Sequence, residues 1–293
     1  MKYLIELDKA GAEWVVVAYL SEDANMLSVV QGTDSPHTVT GSLISTAPKE
    51  FVEKENKLVG NNTDADEIET LRQTLDIHED WYLPRSMSIR QAGKKSNHGL
   101  NYDMKYKRFS FENEIPETEG RTLVELYHKS YPGIRRTFHK SIQHQLNEGR
   151  TLVNCFGRKR RFMDAWGPTL FDAAYSFIPQ STVFDITRIG MVKFFDDTSM
   201  DTIEVLTQTH DSNLFQIDIT DTQDAAHSIV KIGLDYMNPL CQYNSKEFYI
   251  GTSLKVGLDW GSMEECLLSL DVGQTALALD EVMDTINDRA KTR

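Results

Sequence analysis

The chain has 293 residues, of which 40% are hydrophobic and 26% charged, and a formal net charge of -13. This is globular composition and excludes wholesale disorder. No run approaches the roughly 20 apolar residues of a membrane-spanning helix, and the opening MKYLIELDKAG has no small-residue cleavage site. A cytoplasmic protein with no membrane partner is expected. Three widely spaced cysteines, Cys155, Cys241 and Cys266, point to a reducing compartment, not to a disulfide framework or a zinc site.

The charge is segregated. Pro84 to Arg161 holds 17 Lys+Arg against 7 Asp+Glu, a local +10, which leaves -23 for the remainder of a chain whose total is -13. Such a chain can present one basic face for phosphates on an acidic body, or only a solvated basic surface.

In chain order, Tyr3 to Leu7 reads as a short buried strand ending at Asp8, followed by a helix over Glu13 to Leu20. Met26 to Val30 and Thr38 to Ser45 read as helical or loop-like. Lys49 to Asp80 is polar and acidic, with a turn at Gly60-Asn61-Asn62 and a surface helix over Glu67 to Leu75. Helices are predicted over Arg90 to Met104, Glu117 to His128 and Ile134 to Asn147, with Tyr131-Pro132-Gly133 separating the last two. Leu152 to Phe156 and Arg160 to Met163 read as a hairpin, and Phe171 to Phe195 as a long helix interrupted near Pro179. Strands follow at Ile203 to Thr209, Leu214 to Ile219 and Phe248 to Val256. A helix from Asp224 to Met237 lies between the last two, and another runs from Thr275 to Arg289. The pattern predicts an α+β fold, its sheet completed by distant segments around an inserted helical subdomain.

Asp8 at a strand end and Asp211 between two apolar runs could share a pair of divalent cations; each taken singly is also a common turn or cap residue. Arg90, Lys94, His98 and Tyr102 recur every four residues and form one helical ridge. Two cations and two flat rings suit a nucleoside triphosphate. An exposed basic helix is the alternative.

Together these segments resemble family A DNA polymerases of the bacterial DNA polymerase I, bacteriophage-like type. LIELDKAGAEWVVVAYLSED is similar to motif A, RQAGKKSNHGLNYDM to motif B and TQTHDSNLFQI to motif C. DSPHTVTG, YPGI, GRKRRF, FIPQSTVFDI and SLKVGLDWG have counterparts in the same order. The resemblance implies palm segments at 1–21 and 163–262, fingers at 22–162, and a tail helix at 263–293. It implies that Asp8, Asp211 and the Lys9 backbone carbonyl bind two Mg2+ ions. Glu13 would be the steric gate against a 2′-hydroxyl. His37, Arg90 and Lys94 would hold the dNTP triphosphate, with Lys94 also the proton donor to pyrophosphate. His98 would stack on the nucleotide, and Tyr102 would close the templating position. Gln180, His210 and Arg158 would contact primer-template DNA.

Several residues depart from the family pattern. His98 replaces Phe or Tyr, Asp103 a glycine, Ser212 an acidic residue, and Ser176 and Ser181 an Asn and a Gly. Ser212 resembles single-subunit RNA polymerases, whereas Glu13 points to dNTPs; a non-catalytic remnant that binds nucleic acid is the further alternative. The family's thumb, first palm strands and exonuclease lie upstream of motif A. The expectation is therefore a separate polypeptide carrying the thumb and a 3′–5′ exonuclease, in the host cytoplasm if phage-encoded.

Overall fold

The computed structural model describes residues 2–291. It is 58% helical and 15% strand, an α+β fold. Two compact units are present: one takes the residues up to Ala12, Asn154–Arg158 and the chain from Gln180 onward, the other Glu13–Val153 and Lys159–Pro179.

The first unit is built on an antiparallel sheet of β1 (Lys2–Lys9), β2 (Ile203–Thr209), β3 (Ser212–Asp218), β4 (Thr252–Gly257) and β5 (Glu264–Cys266). Their order is β2-β3-β1-β4-β5. Strand periodicity sends Tyr3, Ile5 and Leu7 of β1 to one face, where they pack with Phe215, Ile217, Leu254 and Val256. Helices Thr222–Val230 and Val272–Lys291 close that face with Ala226, Ile229, Ala276 and Leu279. The tail helix is thus part of the core, and Asn287 accepts a hydrogen bond from Tyr3. Truncating Leu7, which is fully buried, to Ala would cost about 2–5 kcal/mol.

The strand expected over Phe248 to Val256 is two strands. Lys246–Phe248 pairs with Cys241–Tyr243 across a turn in which Asn244 and Ser245 take left-handed backbone, and β4 begins only at Thr252. The helix expected over Asp224 to Met237 is regular to Val230 and widens into a π-turn over Lys231–Tyr236. β5 was not foreseen, because three residues carry too little periodicity to read.

The second unit is helical. Asp23, Asp64 and Ser88 cap the N-termini of helices Ala24–Val30, Ala65–Arg72 and Ile89–Gly99 by accepting backbone N–H groups. The acidic segment after Lys49 forms two helices, Lys49–Val59 and Ala65–Arg72, instead of the single one expected. Buried Arg72 fastens them, with Nη2 2.5 Å from Glu55 Oε1 and further bonds to the carbonyls of Pro84 (2.5 Å) and Met87 (3.0 Å). The other Glu55 oxygen accepts the Ile89 N–H at 3.0 Å, so this segment holds the start of the Ile89–Gly99 helix. Burial raises the Glu55 pKa despite the opposing Arg72 charge.

The helix expected over Arg90 to Met104 is α-helical to Gly99 and tightens to a 3-10 turn over Leu100–Tyr102. Asp103 ends it in left-handed backbone, φ 62°. A helix at Tyr106–Glu112 was not anticipated. Ile134–His139 is a π-turn leading into helix Lys140–Gly149. The basic hairpin pairs Thr151–Val153 with Lys159–Arg161. The long helix, Pro168–Asp196, runs through Pro179 without the expected interruption, flanked by buried Ile178 and Thr182. The chain passes between the two units at Ala12/Glu13, Val153/Asn154, Arg158/Lys159 and Pro179/Gln180.

Candidate active site

Asp8 sits opposite Ser212 on one side and Ser253 on the other, near the end of the central strand. His210 and Asp211 form the two-residue turn between β2 and β3, and the Asp211 carbonyl accepts the Lys9 N–H at 3.0 Å. Two carboxylates from distant sequence therefore meet at one end of the sheet, with their side chains within hydrogen-bond reach. Burial first, and the Asp211 charge second, raise the Asp8 pKa to about 6, with Lys255 opposing.

Alternation along β1 places Glu6 on the Asp8 face. Glu6 accepts hydrogen bonds from Ser212 Oγ (3.3 Å) and Trp260 Nε1 (3.2 Å) and pairs with Lys255 Nζ at 3.5 Å. The Lys9 side chain goes to the core face. It is fully buried, its Nζ donates to the Met237 carbonyl and to Thr252 Oγ1 at 2.8 Å each, and burial lowers its pKa to about 8. Only the Lys9 backbone is left for the acidic pair.

Among the described residues no group of three or more His, Cys, Asp or Glu gathers into a metal cluster. A repelling carboxylate pair fits Mg2+ all the same, since Mg2+ is usually held by one or two carboxylates together with substrate phosphates and water. Asp8, Asp211 and the Lys9 carbonyl are the oxygens that could supply such a donor set.

In the helical unit, Ile89, Ala92, Gly93, Ser96 and Asn97 of the Ile89–Gly99 helix are buried, while Lys94 and His98 are exposed and Arg90 is half-buried. Three members of the ridge read from the sequence, Arg90, Lys94 and His98, therefore lie on the open side of this helix, and Tyr102 falls beyond its end. His37, in the first turn of helix Pro36–Ser45, joins it, with its ring 5.9 Å from that of His98. Burial, then the charges of His98, Arg90 and Lys94, lower the His37 pKa to about 4. Tyr102 donates a short hydrogen bond to Glu13 Oε2, and burial followed by the Glu13 charge holds its phenol protonated.

Of the remaining candidates, Gln180 and His210 are exposed, and His210 has left-handed backbone, φ 49°. Arg158 is engaged within the protein: its Nη2 lies 2.5 Å from Asp185 Oδ1, and its guanidinium is 5.3 Å from the Phe184 ring centroid. The sequence reading missed Glu6, Lys255 and Asn97. For Glu6 a signal existed, the two-residue spacing from Asp8 along a strand. The other two owe their significance to partners far away in sequence.

The chain is 26% identical over 271 residues to the thermostable DNA polymerase I of Thermus aquaticus, covering 89% of this chain and 27% of that protein. It is 32% identical over 154 residues to DNA polymerase I of Deinococcus radiodurans, covering 49% and 16%. It thus spans about a quarter or less of these relatives' length. The fold is similar to the POL domain of Pol1 from M. smegmatis, solved in complex with DNA primer-template and dNTP. The TM-score is 0.62 at 17% identity, with 88% of this chain and 40% of that one covered. The model for DNA polymerase family A matches residues 64–262, more than half of the sequence, and the chain belongs to that family.

Proposed function

We propose that this chain is the catalytic portion of a template-directed DNA polymerase that adds dNMP to a primer 3′-hydroxyl. The observation that carries the reading is the Asp8–Asp211 pair, held by β1 and the β2–β3 turn with its carboxylates close enough to share a hydrogen bond. Family membership and the likeness to a polymerase fold support it. In this reading the sheet unit is the palm and the helical unit the fingers.

Asp8, Asp211 and the Lys9 carbonyl would hold two Mg2+ ions. Such ions supply a more acidic attacking hydroxyl and neutralise charge on the leaving oxygen. Arg90, Lys94 and His37 bind the triphosphate, and Lys94 is the group placed to return a proton to the departing pyrophosphate. His98 offers a flat face to the base. Glu13, fixed by Tyr102, faces the sugar as the gate against a 2′-hydroxyl, and Tyr102 closes the templating position. Gln180 and His210 lie against the primer-template, and Arg158 joins them only if it exchanges Asp185 for phosphate. Phosphoryl transfer needs mainly positioning and charge neutralisation, which these residues provide.

The test is primer extension with Mg2+ and either dNTPs or rNTPs. Extension with dNTPs is expected, and Asp211→Asn should lower it by about 10²–10³-fold, the usual cost of losing one electrostatic stabiliser. Extension untouched by Asp211→Asn would remove the acidic pair from the mechanism. Incorporation of rNTPs at equal rate would remove the gate role of Glu13.

A further inference from the structure

Asn97 lies on the buried face of the Ile89–Gly99 helix and is 4% exposed. Its Oδ1 accepts from Trp14 Nε1 and from Thr40 Oγ1, both at 3.0 Å. An indole N–H can only donate, so the oxygen of the amide must face Trp14. The Thr40 proton is then committed to Asn97, and the 2.8 Å contact between Thr40 and Tyr131 has the Tyr131 phenol as donor. Both remaining Asn97 protons are on Nδ2, which faces the Pro36 carbonyl at 3.3 Å and His37 Nδ1 at 3.2 Å. His37 Nδ1 must accept, so the ring proton is on Nε2, which bonds to nothing among the described residues.

We propose that Asn97 is a positioning residue: it holds His37 as the Nε2–H tautomer, so that the ring meets a nucleoside triphosphate with a hydrogen-bond donor in place of a lone pair. The opposite tautomer would set that lone pair against a phosphate oxygen. An imidazolium would donate from either nitrogen, but burial and the adjacent cations keep this ring neutral at pH 7. The lock is what makes a neutral ring useful on a cationic ridge. The inference rests on the nucleotide reading of that ridge, while the tautomer itself does not.

The experiment has two readouts on the full chain. Two-bond 1H–15N spectra of the imidazole, assigned by loss of the signal in His37→Gln, are expected to show Nε2 protonated and Nδ1 bare at pH 7. In the isosteric Asn97→Asp, which cannot donate, the proton should move to Nδ1. Affinity for dATP with Mg2+ is measured beside this. Asn97→Ala is expected to weaken it about tenfold, the worth of one hydrogen bond to a charged group, and to have less than about a twofold effect in a His37→Ala background. Equal losses in both backgrounds, or a wild-type ring protonated on Nδ1, would overturn the role of Asn97 and leave the nucleotide site standing. A wild type that binds no dATP, with the tautomer as assigned, would overturn the site beneath it.

Discussion

Gly93 lies directly against Gly41. A Cβ on Gly93 would fall 2.3 Å from the His37 carbonyl oxygen and 2.7 Å from the Gly41 nitrogen, and one on Gly41 would fall 2.8 Å from the Ile89 carbonyl oxygen. The helices carrying His37 and the Arg90–Lys94–His98 ridge thus touch backbone to backbone, and that approach brings His37 to the cations. Gly93→Ala is expected to push the helices apart at a cost of about 1–3 kcal/mol, and to lower triphosphate affinity beyond what the stability loss explains. Urea unfolding and nucleotide titration measure the two effects.

Arg72 and Glu55 are both buried, and each serves backbone groups besides its partner. Arg72→Met alone leaves a buried carboxylate and two carbonyls unpaired, and is expected to cost about 3–5 kcal/mol. Replacing both residues with apolar ones should recover part of this, short of the whole, because the Ile89 N–H and the Pro84 and Met87 carbonyls stay without partners. Chemical denaturation of the single and double variants checks the order.

Acid should loosen the helical unit before carboxylate titration explains it. His139 is 3% exposed, its Nε2–H donates to the Asn101 carbonyl at 2.8 Å, and its ring stacks 3.9 Å from Tyr175. Burial, the largest cause, lowers its pKa from 6.5 to about 4. The folded state holds the ring neutral while the unfolded chain takes a proton below about pH 6.5. The contribution is therefore full above that value and is lost as pH falls toward 4. It amounts to about 3 kcal/mol at 1.36 kcal/mol per pKa unit. His139→Gln is expected to flatten the slope of stability against pH between 6.5 and 4. His37 and His128, also lowered by burial, would retain theirs.

Asp103 combines left-handed backbone with ion pairs to Arg135, at 2.7 Å, and to Lys105. These partners lower its pKa against the opposing effect of burial. Asp103→Ala keeps the unfavourable φ and loses both partners, for about 1–2 kcal/mol. Asp103→Gly loses the partners but relieves the backbone, and is expected to lie within about 0.5 kcal/mol of wild type. A melting temperature for Asp103→Ala at or above that of Asp103→Gly would contradict the backbone argument.

The acidic pair was legible because each carboxylate interrupts or ends an apolar run, and a strand end is where such a residue stays at the surface. The basic ridge was legible from its four-residue repeat, which holds for Arg90, Lys94 and His98; Tyr102 falls beyond the α-helix on a 3-10 turn and bonds to Glu13. The supports of these groups were not. Asn97 works through Trp14, 83 residues away, and Glu55 through Ile89, 34 residues away. A polar residue inside a helix gives no sign of which distant donor it will meet. The helix at Lys49–Val59 was hidden by its charge, since its buried stripe is only Val52, Glu55 and Val59, and one of those is a carboxylate.

The register of β1 has a consequence for the order in which the protein comes into being. Asp8 pairs with Ser212, roughly 200 residues further on. At about 5–20 residues per second, the ribosome finishes that partner roughly 10–40 s after β1 has been made. Residues 13–153 of the helical unit are synthesised in the interval and can complete most of their internal hydrogen bonds first. Until then Tyr3, Ile5 and Leu7 have no sheet to join. Protease digestion of stalled nascent chains should find β1 cleavable until β3 has emerged. The acidic pair thus forms only after the helical segment that precedes β3 has been made, and a chain released before that point carries a basic ridge with no chemistry attached to it.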